Sequence, residues 1–303
     1  MSPALVRVPA KINLCLGVGP RQADGFHSLA TVYQAVDLCD EVHIRPRTDG
    51  EFTVKVVRDF DGTEGPQVPL GGDNIAVQAA LLVRKALNDD TLGADIAIRK
   101  VIPVAGGMAG GSADAAAALL GANEAWGGEL DRGQLDALAR ELGSDVPFLL
   151  RGGTAMGTGH GEIVSPVLAR GTFHWVCVTQ SYGLSTAAVY ERFDALSPDA
   201  PEPSVPSALL TALAQGDPVA LGAALDNDLT EAALSLHPGL ESLMGYGQRL
   251  DALGTLLSGS GPTVLMLAES QEHALDIMAG VASLESAADT VHAIAPVPGA
   301  RLI

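Results

Sequence analysis

The chain has 303 residues, 47% of them hydrophobic and 18% charged, a globular composition with length enough for a large core and two lobes. Its 36 acidic residues outnumber 18 basic ones, for a formal net charge of -18. That balance argues against nucleic acid and against docking on an anionic membrane, since both require a net basic face. Any phosphate site must then be local, built from backbone N–H groups and one or two placed cations. Cys15, Cys39 and Cys177 are scattered, without metal-ligand spacing or a disulfide framework, and point to a reducing compartment. Lys11 interrupts the first apolar stretch, so no secretory pattern is read there and a cytoplasmic protein is expected. The longest uncharged segment, 171–190, is broken by Gln180, Ser181, Gly183 and Ser185 and reads as a buried strand entering a loop, not a membrane span.

In chain order, Val6 and Val8, then Ile12, Leu14 and Leu16, predict strands on either side of Pro9. Asp24-Gly25 is a turn signal, and 41–44 and 51–57 read as further strands. Residues 74–87 carry alanine and leucine at helical spacing, with Asp73 as the expected N-cap. A strand at 94–102 ends at Pro103, a glycine-rich loop follows, and 113–126 predicts a helix of high propensity. Next come a helix at 134–142, a turn at Gly143-Ser144-Asp145-Val146-Pro147 and a buried element from Phe148. Gly152, Gly153, Gly157, Gly159 and Gly161 then predict a tight hairpin. Past a break near Thr172 the pattern gives a strand at 173–179, a helix at 185–196 and an exposed, mobile loop marked by Pro198, Pro201, Pro203 and Pro206. Helical pattern over 207–253, two short strands within 255–267, a helix at 271–283 and a strand at 290–296 complete the chain. This mixed order predicts an α+β protein rather than a regular βαβ ladder. It divides into 1–165 and 166–303, with the last strand free to return to the first lobe.

The segment Pro103, Val104, Ala105, Gly106, Gly107, Met108, Ala109, Gly110, Gly111, Ser112, Ala113 lies between a predicted strand and a predicted helix. Glycine and alanine let the backbone approach a ligand closely, and the following helix directs free N–H groups and its dipole at the loop. That is an anion site, where the Ser112 hydroxyl can reach a phosphate or its Mg²⁺. It is not a P-loop, because Gly111 is followed by Ser112 and Ala113 with no lysine. It is not a dinucleotide fingerprint, because counting from Gly106 or Gly107 the third position is Met108 or Ala109. The plain alternative is a tight connector. Pro9-Ala10-Lys11-Ile12-Asn13-Leu14 sets a lysine and an asparagine among apolar residues, the alternative being an edge strand with Lys11 in water. Asp145 lies in a glycine–proline turn and serves either catalysis or a helix cap. Leu257-Ser258-Gly259-Ser260-Gly261-Pro262-Thr263 alone reads as a tight turn.

In combination, the lysine–asparagine segment, the glycine loop and Ser258-Gly259-Ser260-Gly261-Pro262 resemble the three motifs of the GHMP kinase superfamily. Further segments follow in order: Arg21 with Asp24-Gly25-Phe26-His27, Asp73-Asn74, 142–148, Gly152-Gly153-Thr154-Ala155, Gly157-Thr158-Gly159 and Asn227-Asp228-Leu229. They extend the resemblance over nearly the whole chain, toward the branch that phosphorylates a cytidine-diphosphate alcohol in the non-mevalonate route to isoprenoid precursors. The resemblance implies a two-lobed GHMP kinase fold with its active site in the cleft between the lobes, and ATP as phosphoryl donor. It implies Lys11 and Asp145 as the catalytic pair, Asp145 accepting the proton of the attacking hydroxyl and Lys11 offsetting charge on the transferred group. Residues 103–113 would hold the triphosphate, with Asn74 and Lys100 near the nucleotide. Phe26 and Tyr190 would stack on the two faces of cytosine, His27 would meet the base edge, and Asn13 would touch the substrate. The alternatives are a solvated strand-end cation for Lys100 and ordinary core roles for Phe26 and Tyr190.

Ala105 and Ala109 stand where glycine is common, Ala113 where a second serine is common, and Phe26 where tyrosine is frequent. No metal carboxylate stands out, so Mg²⁺ is expected to enter with ATP. Monomer and homodimer are equally compatible. The rivals are a homoserine- or mevalonate-type GHMP kinase, against which the Asp24-Gly25-Phe26-His27 segment argues, and a catalytically retired nucleotide-binding protein, against which Lys11, Ser112 and Asp145 argue.

Overall fold

In the computed structural model, which describes residues 1–58, 68–104, 106–284 and 289–303, the chain opens on two long antiparallel strands, β1 (Ala4–Arg21) and β2 (His27–Arg47). The sequence pattern predicts a break at Pro9. Instead β1 runs through it, and the register with β2 shifts between Pro9 and Ala10, where the absence of a proline N–H is tolerated. The first half continues with β3 (Phe52–Arg58), α1 (Ile75–Leu87), β4 (Gly93–Lys100), α2 (Gly110–Trp126), α3 (Arg132–Leu142), α4 (Val146–Arg151), β5 (Thr154–Thr158) and β6 (Ile163–Pro166). The second half holds β7 (Phe173–Thr179), α5 (Thr186–Leu196), α6 (Ser207–Gln215), α7 (Pro218–Ala223), β8 (Asp226–Asn227), α8 (Thr230–Leu236) and α9 (Gly239–Arg249). It ends with β9 (Gly254–Leu257), β10 (Val264–Ala268), α10 (Gln271–Val281), β11 (Asp289–Ala295) and β12 (Arg301–Leu302).

Two sheets result. The first runs β12-β1-β2-β4-β3, with β5 on β2, β6 on β5 and β8 parallel to β1; the second runs β11-β7-β10-β9. The strand at 289–295 stays in the second sheet, whereas β12 beyond it pairs with β1. α2 is buried on nearly every side, which is why it is built of alanine and glycine. A Cβ on its Gly121 would stand 2.8 Å from Ile44 and 3.2 Å from Val6, so glycine lets the helix lie close on β1 and β2. The N-cap of α1 is Asn74 rather than Asp73: its side chain accepts from the Ala76 N–H. The proline-marked loop rests on β1, with Pro203 seated over Gly17 and Gly19.

Each of the two apolar cores draws on both halves. The larger joins β1, β2 and α2 to Phe173, Trp175, Leu265 and Leu267, and the smaller joins Leu16 and Val18 of β1 to α5, α8 and α10.

Candidate active site

β1 places Lys11 and Asn13 on one face, two residues apart, at the bottom of a cleft between the halves. A chain of buried hydrogen bonds fixes them. The Lys11 ammonium donates to Asn13 Oδ1 at 2.7 Å, Asn13 Nδ2 donates to Thr31 Oγ1 at 2.8 Å, and Thr31 donates to the Cys15 carbonyl at 2.6 Å. Across the cleft, the Asp145 carboxylate lies 3.6 Å from Lys11 Nζ. Asp145 occupies the N-cap position of α4, yet its side chain makes no capping bond, so the carboxylate remains turned to Lys11. Tyr33 completes the floor, with its ring centroid 5.4 Å from Lys11 Nζ. Burial, then the nearby Asp145 charge, raises the Tyr33 phenol well above its usual range, so it stays protonated.

The glycine loop forms one wall. Pro103, Gly106, Gly107, Ala109, Gly110 and Gly111 line a cavity of about 320 Å³ together with Lys11, Asn13 and Asp145. α2 begins at Gly110, three residues earlier than its sequence pattern predicts, so Gly110, Gly111 and Ser112 form its first turn and their N–H groups have no partner within the helix. Ser112 is half-buried there, as is Val104 at the loop entrance. Met108 and Ala113 are core residues instead, although the Met108 carbonyl accepts from Lys11 N–H at 3.3 Å. Ala105 lies outside the described residues.

The third motif braces this wall from the second half. Ser258 Oγ donates to the Gly107 carbonyl at 3.0 Å. Asn227 Nδ2 donates to the carbonyls of Leu257 and Gly259 at 2.8 Å each, tying the turn to β8. Gly107 has φ +76°, and a Cβ there would fall 2.2 Å from the Ser258 carbonyl oxygen, so only glycine closes the contact.

The side chains of two expected nucleotide neighbours are engaged within the protein. Lys100 is neither solvated nor open to the cleft: it is 3% exposed, and its ammonium donates to Asp40 at 2.5 Å, to Asp114 at 2.8 Å and to the Gly110 carbonyl at 2.8 Å. Asn74 uses both ends of its amide locally, accepting from Ala76 N–H and donating to the Pro69 carbonyl at 2.7 Å.

A second cavity of about 680 Å³ continues from the first, sharing Leu29, Ser144, Thr186 and Tyr190 with it. Phe26 and Tyr190 both line it. Phe26 is 62% exposed and is no core residue; its ring tilts against His160 at a centroid distance of 5.2 Å. Tyr190 is half-buried, packs on the smaller core and lies 5.0 Å from the His27 ring. His27 is buried, with Nε2 2.7 Å from Asp194 Oδ1. Arg21 approaches the other oxygen of Asp194 at 3.9 Å and lines the same cavity as Arg140.

Sequence reasoning missed Tyr33, Thr31, Asp194 and His160. Asp194 had a usable signal, lying one helical turn beyond Tyr190 and hence on its face. Tyr33 had a weaker one, a phenol among the buried residues of a strand, and its role depends on pairing opposite Asn13.

The pattern of the GHMP kinases N terminal domain matches residues 74–153, and that of the GHMP kinases C terminal matches residues 209–284. The chain is 51% identical to a 4-diphosphocytidyl-2-C-methyl-D-erythritol kinase from Thermobifida fusca (strain YX), over 98% of this chain and 97% of the relative. It is 49% identical to a kinase of the same name from Nocardia farcinica (strain IFM 10152), over 100% and 97%. A crystal structure of 4-(cytidine 5'-diphospho)-2C-methyl-D-erythritol kinase superposes with a TM-score of 0.76 at 32% identity, covering 96% of this chain and 99% of that one.

Proposed function

The chain belongs to the GHMP kinases and, within them, to the 4-diphosphocytidyl-2-C-methyl-D-erythritol kinases, and on that premise we propose how its cleft moves a phosphoryl group from ATP to the 2-hydroxyl of 4-diphosphocytidyl-2-C-methyl-D-erythritol. The observation that carries the reading is the Lys11–Asp145 pair at 3.6 Å, set between a glycine-lined wall and an aromatic-lined cavity. That separation exceeds a direct charge-assisted hydrogen bond, which leaves room for a hydroxyl to engage both groups. Asp145 takes the hydroxyl proton as the oxygen attacks. Lys11 orients that oxygen and balances negative charge on the transferred group.

The first-turn N–H groups of Gly110, Gly111 and Ser112 receive the phosphates, where the helix dipole favours negative charge. Among the described residues no group of three or more His, Cys, Asp or Glu side chains is arranged to hold a metal. Ser112, half-buried in the first turn of α2, is the loop side chain that would meet a Mg²⁺ arriving with ATP and screening its phosphates. Phe26 and Tyr190 stack on the cytosine. His27, its Nε2 engaged by Asp194, keeps Nδ1 for the base edge. Residues 1–165 would then supply the nucleotide loop and catalytic pair, and 166–303 part of the substrate side.

ADP release measured with 4-diphosphocytidyl-2-C-methyl-D-erythritol, homoserine and mevalonate tests the reading. The cytidine alcohol alone should support turnover, and Asp145→Ala should abolish it. Turnover with homoserine or mevalonate but not with the cytidine alcohol overturns the substrate assignment.

A further inference from the structure

Beneath the glycine loop lies a charge cluster that the phosphoryl transfer does not use. Lys100, Asp40 and Asp114 are each 3% exposed or less, and one ammonium serves two carboxyl groups. Asp40 holds the chain entering the loop, its Oδ1 accepting from the N–H groups of Val101 at 2.6 Å and Ile102 at 2.8 Å. Asp114 stands in α2, on the far side of the loop. Between them, Lys100 directs its third N–H at the Gly110 carbonyl at 2.8 Å.

We propose that Lys100, clamped by Asp40 and Asp114, is a positioning residue that fixes the Gly110–Gly111 peptide with the Gly111 N–H turned to the cleft, and that it does not itself touch the nucleotide. The inference rests on the reading of the loop as a phosphate site. A trans peptide is planar, so a carbonyl and the N–H that follows it point in opposite directions. Holding the Gly110 oxygen inward therefore holds the Gly111 N–H outward. The ammonium has three donors, all three are committed, and none remains for a phosphate. Gly110 itself is shaped around this contact: a Cβ would stand 3.0 Å from Lys100 Nζ and 3.2 Å from Ile102 Cγ2.

The charge state suits the role. Asp40 receives three donors, whereas Asp114 accepts from Lys100 only, and its Oδ1 has no hydrogen-bond partner among the described residues. Burial pushes the Asp114 carboxyl up to about 8, Lys100 opposing and Asp40 reinforcing the shift. Near neutral pH Asp114 thus keeps its proton, and the cluster presents no uncompensated negative charge under the bound phosphates.

The test uses the double variant Asp40→Asn/Lys100→Met. It removes an ammonium and a carboxylate together, while the asparagine oxygen can still accept from Val101 and Ile102. In the ligand-free full chain, the Gly110 carbonyl ¹³C and Gly111 amide ¹⁵N resonances should move. Calorimetric affinities for ADP and inorganic tripolyphosphate should fall about tenfold, the size expected for losing a charge-assisted bond, with cytidine binding unchanged. Gly110→Ala, which keeps every charge, should reach the same state from the other side by displacing Lys100. Its affinity loss should largely vanish in the double-variant background. Unmoved Gly110 and Gly111 resonances in the folded double variant overturn the proposal. So do losses that multiply independently, which would mean that Lys100 meets the nucleotide directly. A native chain that binds neither ADP nor tripolyphosphate refutes the phosphate reading instead, and the ligand-free resonances still decide the role of Lys100.

Discussion

Lys11 is held more tightly to Asn13, at 2.7 Å, than to Asp145, at 3.6 Å. The shorter bond fixes the ammonium within the apolar strand, and the longer gap lets the acceptor hydroxyl enter between the two charges. Asp145→Asn keeps the shape and removes the base. It should lower kcat by about 10²–10⁴-fold, the usual range for a general base, and leave ADP affinity within about twofold. A rise in KM with kcat intact would contradict the assignment. Asp114 gives a second residue-scale prediction. Its carboxyl shifts from 3.8 to about 8 on folding, so between those values the folded chain holds a proton that the unfolded chain has shed. Its contribution to stability is then largest below pH 3.8, declines as pH rises and levels off above about 8. Asp114→Asn should flatten that decline, giving a smaller loss of denaturation midpoint between pH 5 and pH 8 than in the native chain. An unchanged slope would show that this carboxyl ionises normally. Lys11 and Asp145 each stand out in the sequence as an ionisable residue in an apolar or glycine–proline setting, but each left a structural alternative open, and their pairing came only from the resemblance to known kinases. The burial of Lys100 is not legible in the sequence, because the residues that enclose it, Asp40 and Asp114, lie 60 and 14 positions away.

The glycine loop, as an element, is held by its glycines in ways that differ from one position to the next. At Gly107 the left-handed backbone and the Ser258 carbonyl both exclude a side chain. Gly107→Ala should therefore separate the loop from the third motif and destabilise the fold by about 1–3 kcal/mol, with weakened ADP binding. Ala109 is the opposite case. It caps α2 at φ 57°, a conformation that costs an L-residue roughly 1–2 kcal/mol, against roughly 0.5–1 kcal/mol of extra chain entropy for glycine. Ala109→Gly should raise stability by about 0.5 kcal/mol in urea titrations. A destabilised variant would mean that the alanine methyl packs usefully in the loop. The strand–loop–helix order was legible, because alanine runs, glycine clusters and prolines act locally. The helix start was not, since two glycines have low helical propensity and the bond from Lys100 to the Gly110 carbonyl that supports the first turn has no local sequence signal. Pro9 shows the same limit: read locally it ends a strand, and only the pairing with β2 shows that a shift in register absorbs it.

At the scale of the whole molecule, the cleft exists because two sheets with separate strand orders are locked together, and the locking residues are far apart in sequence. Trp175 of β7, fully buried, donates its indole N–H to Gln34 of β2 at 3.1 Å, and Gln34 in turn donates to Thr154 of β5 at 3.1 Å. β8 and β12 return from the second half to pair on β1. Apolar periodicity finds strands but not their partners, which is why the two-lobed outline came from the resemblance to known kinases rather than from the pattern itself. Both apolar cores include residues from both halves, so neither half has a complete interior of its own. Thermal or denaturant unfolding should then be a single transition, with near- and far-ultraviolet signals coincident. Trp175→Phe tests the lock directly. It leaves the buried Gln34 oxygen without its donor and opens a small void, at a cost of about 2–4 kcal/mol. The halves still share their cores, so the variant should lower the midpoint without splitting the transition. Because Tyr33 directly precedes Gln34 along β2 and Thr31 lies two residues before that, the same loosening should raise KM for the alcohol more than it lowers kcat. Two resolved transitions in the native chain would refute the shared interior, and a Trp175→Phe variant with native stability would remove Gln34 as the point where the lobes are joined.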